Sequence, residues 1–151
     1  MTKVTDQQVL AVALPILKHD EGCRLTAYKD TQGLWTVGWG HAYVPEGTCW
    51  TQEQADAQLD ADVRRKIEGL DEIGPWWRDL DPVRASVVLM MAFNLGLGGF
   101  FGFRTTIERI RAGDYAGASA SMLLSKWASQ VGDRAQRLAF MMRTGSVPVM
   151  K

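Results

Sequence analysis

A chain of 151 residues with 46% hydrophobic side chains is long enough for one compact domain and too apolar to be disordered throughout. Its formal net charge is zero, yet residues 1–75 carry 7 basic and 12 acidic side chains, whereas residues 76–151 carry 10 and 5. A basic half can attract an anionic polymer, either nucleic acid or bacterial cell wall, but ordinary solvated helix faces are the favoured explanation on charge alone.

The N-terminal segment predicts a helix that Thr5 or Asp6 caps and that ends at Glu21, before Gly22. Its apolar positions are Val9, Leu10, Ala13, Leu14 and Leu17. Pro15 is expected to kink this helix or divide it in two. Because Pro15 also interrupts the short apolar stretch, we expect no secretory signal here.

Residues 24–43 change to a period of two, broken by turn chemistry at residues 29–33, which predicts a small antiparallel hairpin or meander. Gly38 and Gly40 alternate with apolar residues, and glycine in a strand indicates close approach of another backbone or of a ligand. A second turn is predicted at residues 45–47. Two cysteines, Cys23 and Cys49, are too few for a disulfide framework, and whether they pair stays open.

A second helix begins with a capping box in which Thr51 is the N-cap and Gln54 the third helical residue. It is expected to run to about Glu68 and to end near Gly69. Its apolar positions, at steps of four, are Ala55, Leu59, Val63 and Ile67. Such a helix spans roughly 25 Å, which is enough to link two lobes.

The remaining chain predicts a helical lobe that starts with Asp81 as N-cap and Pro82 in the first turn. Residues 83–95 are apolar nearly all round, which is typical of a central helix. Asn94 and four glycines argue against a membrane span over residues 83–103 and favour a buried helix followed by a glycine-rich loop. Three shorter helices are expected at about 106–112, from an Asp114 cap to about 128, and from an Asp133 cap to about 143.

These elements predict an α+β fold that is mostly helical. Its expected parts are a small β-containing lobe over about 22–50, a linking helix over about 51–69, and a helical lobe over about 75–151 that the N-terminal helix joins.

Two carboxylates, Glu21 and Asp30, are nine residues apart, one at a predicted helix end and one in the turns beyond it. That arrangement can place two acids across a cleft, as glycoside hydrolysis requires. His41 could be a ligand or a base, but no second residue of metal-binding type is spaced with it, so no metal and no cofactor are predicted.

Residues 21–41 resemble the phage lysozymes of the T4 type, the muramidases of glycoside hydrolase family 24. They match every fixed position of Glu-Gly-x-Arg-Leu-x-x-Tyr-x-Asp-x-x-Gly-x-x-Thr-x-Gly-x-Gly-His. The resemblance continues to the C-terminal lobe at residues 93–96, 102–103, 126–127, 133–135 and 143–145. The chain departs from T4 lysozyme by an N-terminal extension of about ten residues and a shorter stretch between His41 and Thr51, so one helix of the small lobe is expected to be missing.

The resemblance implies that Glu21 is the general acid, that Asp30 positions or deprotonates the attacking water, and that Thr36 helps to hold this water. An acid that protonates a glycosidic oxygen must keep its proton near neutral pH, so burial is expected to raise the pKa of Glu21. The T4 type resembles inverting enzymes, whose carboxylates are roughly 6.5–9.5 Å apart to leave room for the water.

The resemblance also implies supporting residues. Sugar-binding positions are Ala42, Phe93, Asn94, Thr106 and Ser121, with core packing as the alternative for Phe93 and helix capping for Asn94. Arg134 is expected to tether Glu21, and His41 to form a structural ion pair with Asp62. Core packing is favoured over sugar stacking for Trp35 and Trp39, and the interlobe core is predicted to hold Trp76, Trp77 and Trp127.

The function implied is that of an endolysin that cuts the β-1,4 bond between N-acetylmuramic acid and N-acetylglucosamine of peptidoglycan for host cell lysis. It would act as a monomer, collect in the host cytoplasm without stable membrane insertion, and depend on a holin to reach the periplasmic cell wall. The alternatives are a catalytically silent glycan-binding module and a transglycosylase. A nucleic-acid binder is disfavoured because no basic-aromatic motif is present.

Overall fold

A computed structural model describes residues 2–150 of the chain, which form helices and one small sheet, the predicted α+β class. The helices are α1 (Asp6–Glu21), α2 (Gln52–Ile73), α3 (Pro82–Phe101), α4 (Arg104–Arg111), α5 (Tyr115–Leu123), α6 (Lys126–Val131) and α7 (Asp133–Thr144), with a 3₁₀ turn at Pro75–Asp79. The strands are β1 (Arg24–Lys29), β2 (Trp35–Gly38) and β3 (His41–Ala42).

Two compact units divide these elements. Pro15–Arg65 form what we call the sheet unit. The residues up to Leu14, together with those from Lys66 onward, form the helical unit.

Helix α1 begins with a reciprocal cap. The Thr5 hydroxyl accepts from the Gln8 backbone N–H at 3.1 Å, and the Gln8 side-chain oxygen accepts from the Thr5 N–H at 2.9 Å. The predicted end before Gly22, which has φ +65°, is confirmed. The helix continues through Pro15, so a division into two helices is wrong.

The three strands form the predicted antiparallel meander in the order β1-β2-β3. Thr36 lies in the middle, paired with Tyr28 on one side and with Ala42 on the other. Thr26 of β1 also forms an isolated bridge to Cys49, and both cysteines are free thiols. Because the three strands are only six, four and two residues long, each strand residue is close in sequence to a turn.

Helix α2 has the predicted capping box, with Thr51 and Gln54 bonded reciprocally at 2.9 and 3.1 Å. The predicted apolar positions are all buried: Ala55, Leu59, Val63 and Ile67. The predicted end near Gly69 is wrong, because the fully buried Leu70 extends the apolar stripe and the helix continues to Ile73. Gly69 has a packing role instead, since the Leu97 side chain fills the space that a Cβ at position 69 would occupy.

Helix α3 begins at the predicted Asp81 cap, whose carboxylate accepts from the Arg84 N–H at 3.1 Å. Its residues 85–92 are all buried. Gly96, with φ +76°, interrupts the helical conformation, but helix resumes as far as Phe101, so the predicted glycine-rich loop is wrong beyond this point. Among the described helices α3 is long and apolar enough to cross a membrane, yet half of that stretch is buried inside the protein, as in a core helix.

The C-terminal segment has four helices where three were predicted. Ser125 caps a separate helix, its hydroxyl accepting from the Ala128 N–H at 3.2 Å, and this cap divides the predicted second helix into α5 and α6. Asp114 is the N-cap that was predicted. Asp133 is not, because Gly132 occupies the N-cap position and Asp133 is the first helical residue.

Candidate active site

The Glu21 side chain lies at the end of α1, against the turn that joins β2 to β3. A Cβ added to Gly40 in this turn would be 3.0 Å from Glu21 Oε2, and Gly40 has φ +89°. Only glycine tolerates both the backbone conformation and the close contact. The close approach at this glycine is present, but the group approached is the Glu21 side chain and not the backbone or ligand that was predicted.

Asp30 lies in the turn that joins β1 to β2, where the main chain holds its carboxylate. Asp30 Oδ1 accepts from the backbone N–H of Gln32 at 2.8 Å and of Leu34 at 2.9 Å. The Asp30 N–H in turn donates to the Leu34 carbonyl at 2.9 Å. No described residue hydrogen-bonds Oδ2, so one carboxylate oxygen is oriented and the other remains able to accept from water.

Thr36 is buried at the centre of the sheet, with 3% of its surface exposed. Its hydroxyl donates to the Leu34 carbonyl at 3.1 Å. The Leu34 peptide groups thus contact both Asp30 and Thr36 and bring these two candidates together. The hydroxyl oxygen retains lone pairs for a water, and the predicted water-holding role stays a prediction.

The two carboxylates lie beyond opposite ends of β2. Asp30 bonds to the residue before this strand, and Glu21 lies against Gly40 after it. A strand rises about 3.3 Å per residue, so the four residues of β2 span about 10 Å. The strand separates the two turns that hold the acids, and the separation of roughly 6.5–9.5 Å between the carboxylates themselves stays a prediction.

Trp39 is a supporting residue whose partner was not predicted from the sequence. Its indole N–H donates to Asp56 Oδ1 at 2.8 Å, and Lys18 Nζ lies 5.5 Å from its ring centroid. The hydrogen bond from Trp39 is the main reason that the pKa of Asp56 is lowered from its ordinary value. The contact joins α1, α2 and the turn that carries Gly40. Trp39 is half-buried, so its predicted role in the core is only partly correct.

The predicted contact between His41 and Asp62 is present, with His41 Nδ1 2.8 Å from Asp62 Oδ2. Asp62 Oδ1 also accepts from the Gln58 side-chain amide at 2.8 Å. Ala42 follows in β3, half-buried beside Thr36. The predicted sugar contact of Ala42 stays a prediction.

In the helical unit, the predicted sugar-binding residue Asn94 is held by a tryptophan. Trp127 Nε1 donates to Asn94 Oδ1 at 2.6 Å. Because an indole N–H can only donate, this bond fixes which end of the amide faces the tryptophan. Phe103 packs edge-on against Trp127 at 6.2 Å between centroids. Phe93, the residue before Asn94, is half-buried.

Thr106 and Ser121 hydrogen-bond to each other through their hydroxyls at 2.8 Å. Both line an open pocket of about 240 Å³. The other lining residues are Gly102, Phe103, Arg104, Thr105 and Ser125. The predicted sugar-binding residues of this unit thus include one pair that the fold brings together, 15 residues apart in the chain.

Arg134 lies in the first turn of α7 and is half-buried. Its tether to Glu21 stays a prediction. Trp77 and Trp127 are buried, and Trp76 is half-buried. Residues 2–150 contain no group of three His, Cys, Asp or Glu side chains that could hold a metal ion.

Comparison with known proteins bears on this site. The family model for phage lysozyme matches residues 18–143. The chain is 34% identical to an endolysin of Acyrthosiphon pisum secondary endosymbiont phage 1, over 76% of this chain and 75% of that protein. It is 28% identical to the pre-baseplate central spike protein of Enterobacteria phage T4, over 87% of this chain. It is 53% identical to an endolysin of Lactococcus phage c2, over 35% of this chain. The chain spans 28% and 24% of the length of the last two proteins.

Proposed function

Because the chain belongs to the phage lysozyme family, we propose that it hydrolyses the β-1,4 bond between N-acetylmuramic acid and N-acetylglucosamine in bacterial peptidoglycan. One observation carries the proposal. A carboxyl lies against a turn glycine beyond one end of a four-residue strand, and a second carboxylate, bonded by the main chain, lies beyond the other end. Relatives with the name endolysin support the same activity.

In this mechanism Glu21 protonates the glycosidic oxygen as the bond breaks. Asp30 uses its oxygen Oδ2 to orient a water and to take its proton, and Thr36 accepts a hydrogen bond from the same water. The water attacks the face of the sugar opposite the leaving group, which inverts the anomeric centre. A positioned acid or base of this kind accelerates a reaction by about 10²–10⁴-fold.

The helical unit supplies the sugar contacts. With its oxygen bonded to Trp127, Asn94 offers its amide N–H₂ as a donor to a sugar oxygen. Thr106 and Ser121 offer hydroxyls, and Phe93 is the fourth contact of this unit. In the sheet unit, Ala42 is the proposed sugar contact. Arg134 keeps Glu21 in position, and the His41–Asp62 pair stabilises the strand that carries Ala42.

In the cell the protein is an endolysin that collects in the host cytoplasm as a monomer and reaches the periplasmic wall when a holin opens the membrane. Expression alone is then expected to leave cells intact, and chloroform treatment to lyse them. Lysis without permeabilisation would contradict the need for a holin. Sedimentation of a dimer at micromolar concentration would contradict the monomer.

The decisive test is analysis of the glycan ends released from purified peptidoglycan by the wild type and by Glu21→Gln. The wild type is expected to release reducing ends, and Glu21→Gln to release them about 10²–10⁴-fold more slowly. Glu68→Gln, on an exposed side of α2, is the matched control and is expected to keep full activity.

Each alternative has its own outcome in this test. Retained activity in Glu21→Gln would contradict the general acid. Anhydro sugar ends would identify a transglycosylase, and saturable binding without any new reducing end would identify a silent glycan-binding module.

A further inference from the structure

A second pocket opens on the sheet unit, lined by Trp50, Gln54, Ala57 and Gln58. Its volume is about 320 Å³, near the lower end of the range for small-molecule sites, roughly 300–1,000 Å³. None of its lining residues belongs to the acid pair or to the predicted sugar-binding set. It combines one aromatic ring with two side-chain amides, which is the composition of a binding site for a small polar group with an apolar face.

The Trp50 ring is held in place by packing against Gly38 and His41. Its Cε3 and Cζ3 atoms lie 3.1 Å from the position that a Cβ on Gly38 would occupy, and the His41 ring packs against it at 5.6 Å between centroids. The Trp50 N–H donates to the Leu25 carbonyl at 2.8 Å. The indole N–H, by contrast, donates to no group among residues 2–150, so it is available to a ligand.

The two amides are oriented by bonds that allow only one assignment. Gln54 Oε1 accepts from the Thr51 backbone N–H, which can only donate, so the Nε2 donors of Gln54 remain for a ligand. Gln58 Nε2 donates to Asp62 Oδ1, and a carboxylate can only accept, so Gln58 presents its Oε1 acceptor. Asp62 is itself held by His41 at 2.8 Å. Gln58 is therefore linked to the Trp50 ring through Asp62 and His41, and the capping box holds Gln54 separately.

Gln54 and Gln58 are four residues apart on α2, so they share one face with their Cβ atoms about 5–6 Å apart. A donor and an acceptor at this spacing can flank a secondary amide, whose carbonyl and N–H point in opposite directions. Peptidoglycan carries secondary amides in two places, namely the N-acetyl groups of its sugars and the bonds of its stem peptides. Only the sugar combines the amide with a ring face that could lie flat on Trp50.

We propose that this pocket binds the N-acetyl group of a glycan sugar outside the catalytic cleft. Gln54 donates to the acetamido carbonyl, Gln58 accepts from the acetamido N–H, and the Trp50 ring packs under the sugar. The cell wall as the source of this group rests on the proposed function, whereas the match between the pocket and a secondary amide does not. A second binding site for the glycan strand would keep the enzyme on its insoluble substrate between two cleavage events.

The test is site-resolved NMR of the full chain carrying Glu21→Gln, which prevents cleavage. Resonances of the Trp50 indole and of the two glutamine amides are followed during titration with three probes. These are tri-N-acetylchitotriose, its deacetylated counterpart chitotriose, and N-acetyl-D-alanyl-D-alanine. The acetylated sugar is expected to shift all three side chains, and the deacetylated sugar to leave them unchanged.

The variant that tests the contact is Gln54→Glu, made in the same background. A glutamate still accepts from the Thr51 N–H, so the capping box is kept while the donor to the ligand is lost. Binding is expected to weaken by about tenfold. Gln7→Glu adds the same charge at an exposed position in the first turn of α1 and is expected to bind as before. Gln58→Met, which removes the acceptor, provides a second variant if the first is unstable.

Each outcome decides the inference. Shifts with the acetylated sugar, lost in Gln54→Glu, support the glycan source, and shifts with the peptide alone support the amide contact with the stem peptide as its source. Equal shifts with both sugars, or none with any probe, overturn the inference. Lysis by the wild type is measured separately, so a pocket that binds nothing in an active enzyme overturns this inference alone, whereas binding in an inactive wild type overturns the proposed function alone.

Discussion

The two units hold their candidate site residues in different ways. In the sheet unit, Asp30 and Thr36 are held by main-chain groups within four residues of themselves. In the helical unit, Asn94 is held by a side chain 33 residues away, and Thr106 by one 15 residues away. A main-chain partner survives every nearby substitution except one by proline, which lacks the N–H, whereas a side-chain partner can be removed by many. Changing the acids of the sheet unit should therefore lower activity without lowering stability. Removing a side-chain partner in the helical unit, such as Trp127, should lower both stability and sugar binding.

The largest expected effect is that of Asp30→Asn. An asparagine oxygen can still accept from the Gln32 and Leu34 N–H groups, so the turn is kept while the base is lost. Lytic activity is expected to fall by about 10²–10⁴-fold with little change in the free energy of unfolding. Reducing-end release and urea denaturation measure the two quantities. A large loss of stability would show that Asp30 acts through its charge on the fold, and activity near that of the wild type would exclude it as the base.

Gly40→Ala is expected to have the next largest effect, because the new methyl group meets the Glu21 carboxyl. Gly47→Ala is a matched control: its φ is +85°, close to the +89° of Gly40, but its Cβ would meet nothing within 4 Å. Both changes should destabilise by about 1–3 kcal/mol through backbone strain. Only Gly40→Ala should also lower activity. Equal activity in the two variants would mean that the close contact has no part in holding the acid.

Trp127→Phe tests the hydrogen bond from the Trp127 indole to Asn94 in the helical unit. It leaves Asn94 Oδ1 without its donor and is expected to cost about 1–3 kcal/mol of stability. Sugar binding should weaken as well, since the Asn94 amide loses its orientation. Trp76→Phe, at a half-buried tryptophan, is the control and should cost less. Thermal denaturation and binding of a chito-oligosaccharide measure these effects, and weakened stability with unchanged binding would separate Asn94 from the sugar site.

The smallest expected effect concerns stability in acid. The bidentate hydrogen bonds from Arg78 lower the pKa of Asp71 in the helical unit, and the bond from Trp39 lowers the pKa of Asp56 in the sheet unit. A carboxyl whose pKa is lower in the folded state stabilises the fold above its unfolded pKa of about 3.9. This stabilisation is lost as the pH falls through the folded pKa.

Asp71→Asn and Asp56→Asn are therefore each expected to reduce the loss of unfolding free energy between pH 5 and pH 2. The reduction should be larger at Asp71, because Arg78 donates to both of its oxygens at 2.8 Å, whereas the cation beside Asp56, Lys18, is 3.8 Å away. Urea denaturation across this range measures it. An unchanged or steeper pH dependence in Asp71→Asn would contradict the assignment.

Local chemistry made much of this fold predictable. The Thr51–Gln54 capping box, the Asp81 cap and the meander with its close glycines all involve residues within a few positions of one another. One error arose where a distant residue decides. Gly69 predicted a helix end, because the sequence does not show that the Leu97 side chain fills the space beside this glycine. The Ser125 cap, by contrast, was a local signal that the uniform helical pattern around it concealed.

The candidate site follows the same division. Glu21, Asp30 and Thr36 fall within one dense motif, so they could be proposed from the sequence alone. The supporting pairs are different, because Trp39 and Asp56 are 17 residues apart and Asn94 and Trp127 are 33 residues apart. Nothing in the spacing of such pairs indicates contact, because each depends on how whole helices pack.

The fit of the Leu97 side chain against Gly69 also bears on protein engineering. A larger residue at position 69 needs a smaller one at position 97, so the two positions should tolerate variation only in combination. A mutational library that randomises either site separately would score both as intolerant, and would miss the paired exchange that replaces a helix-weakening glycine with alanine.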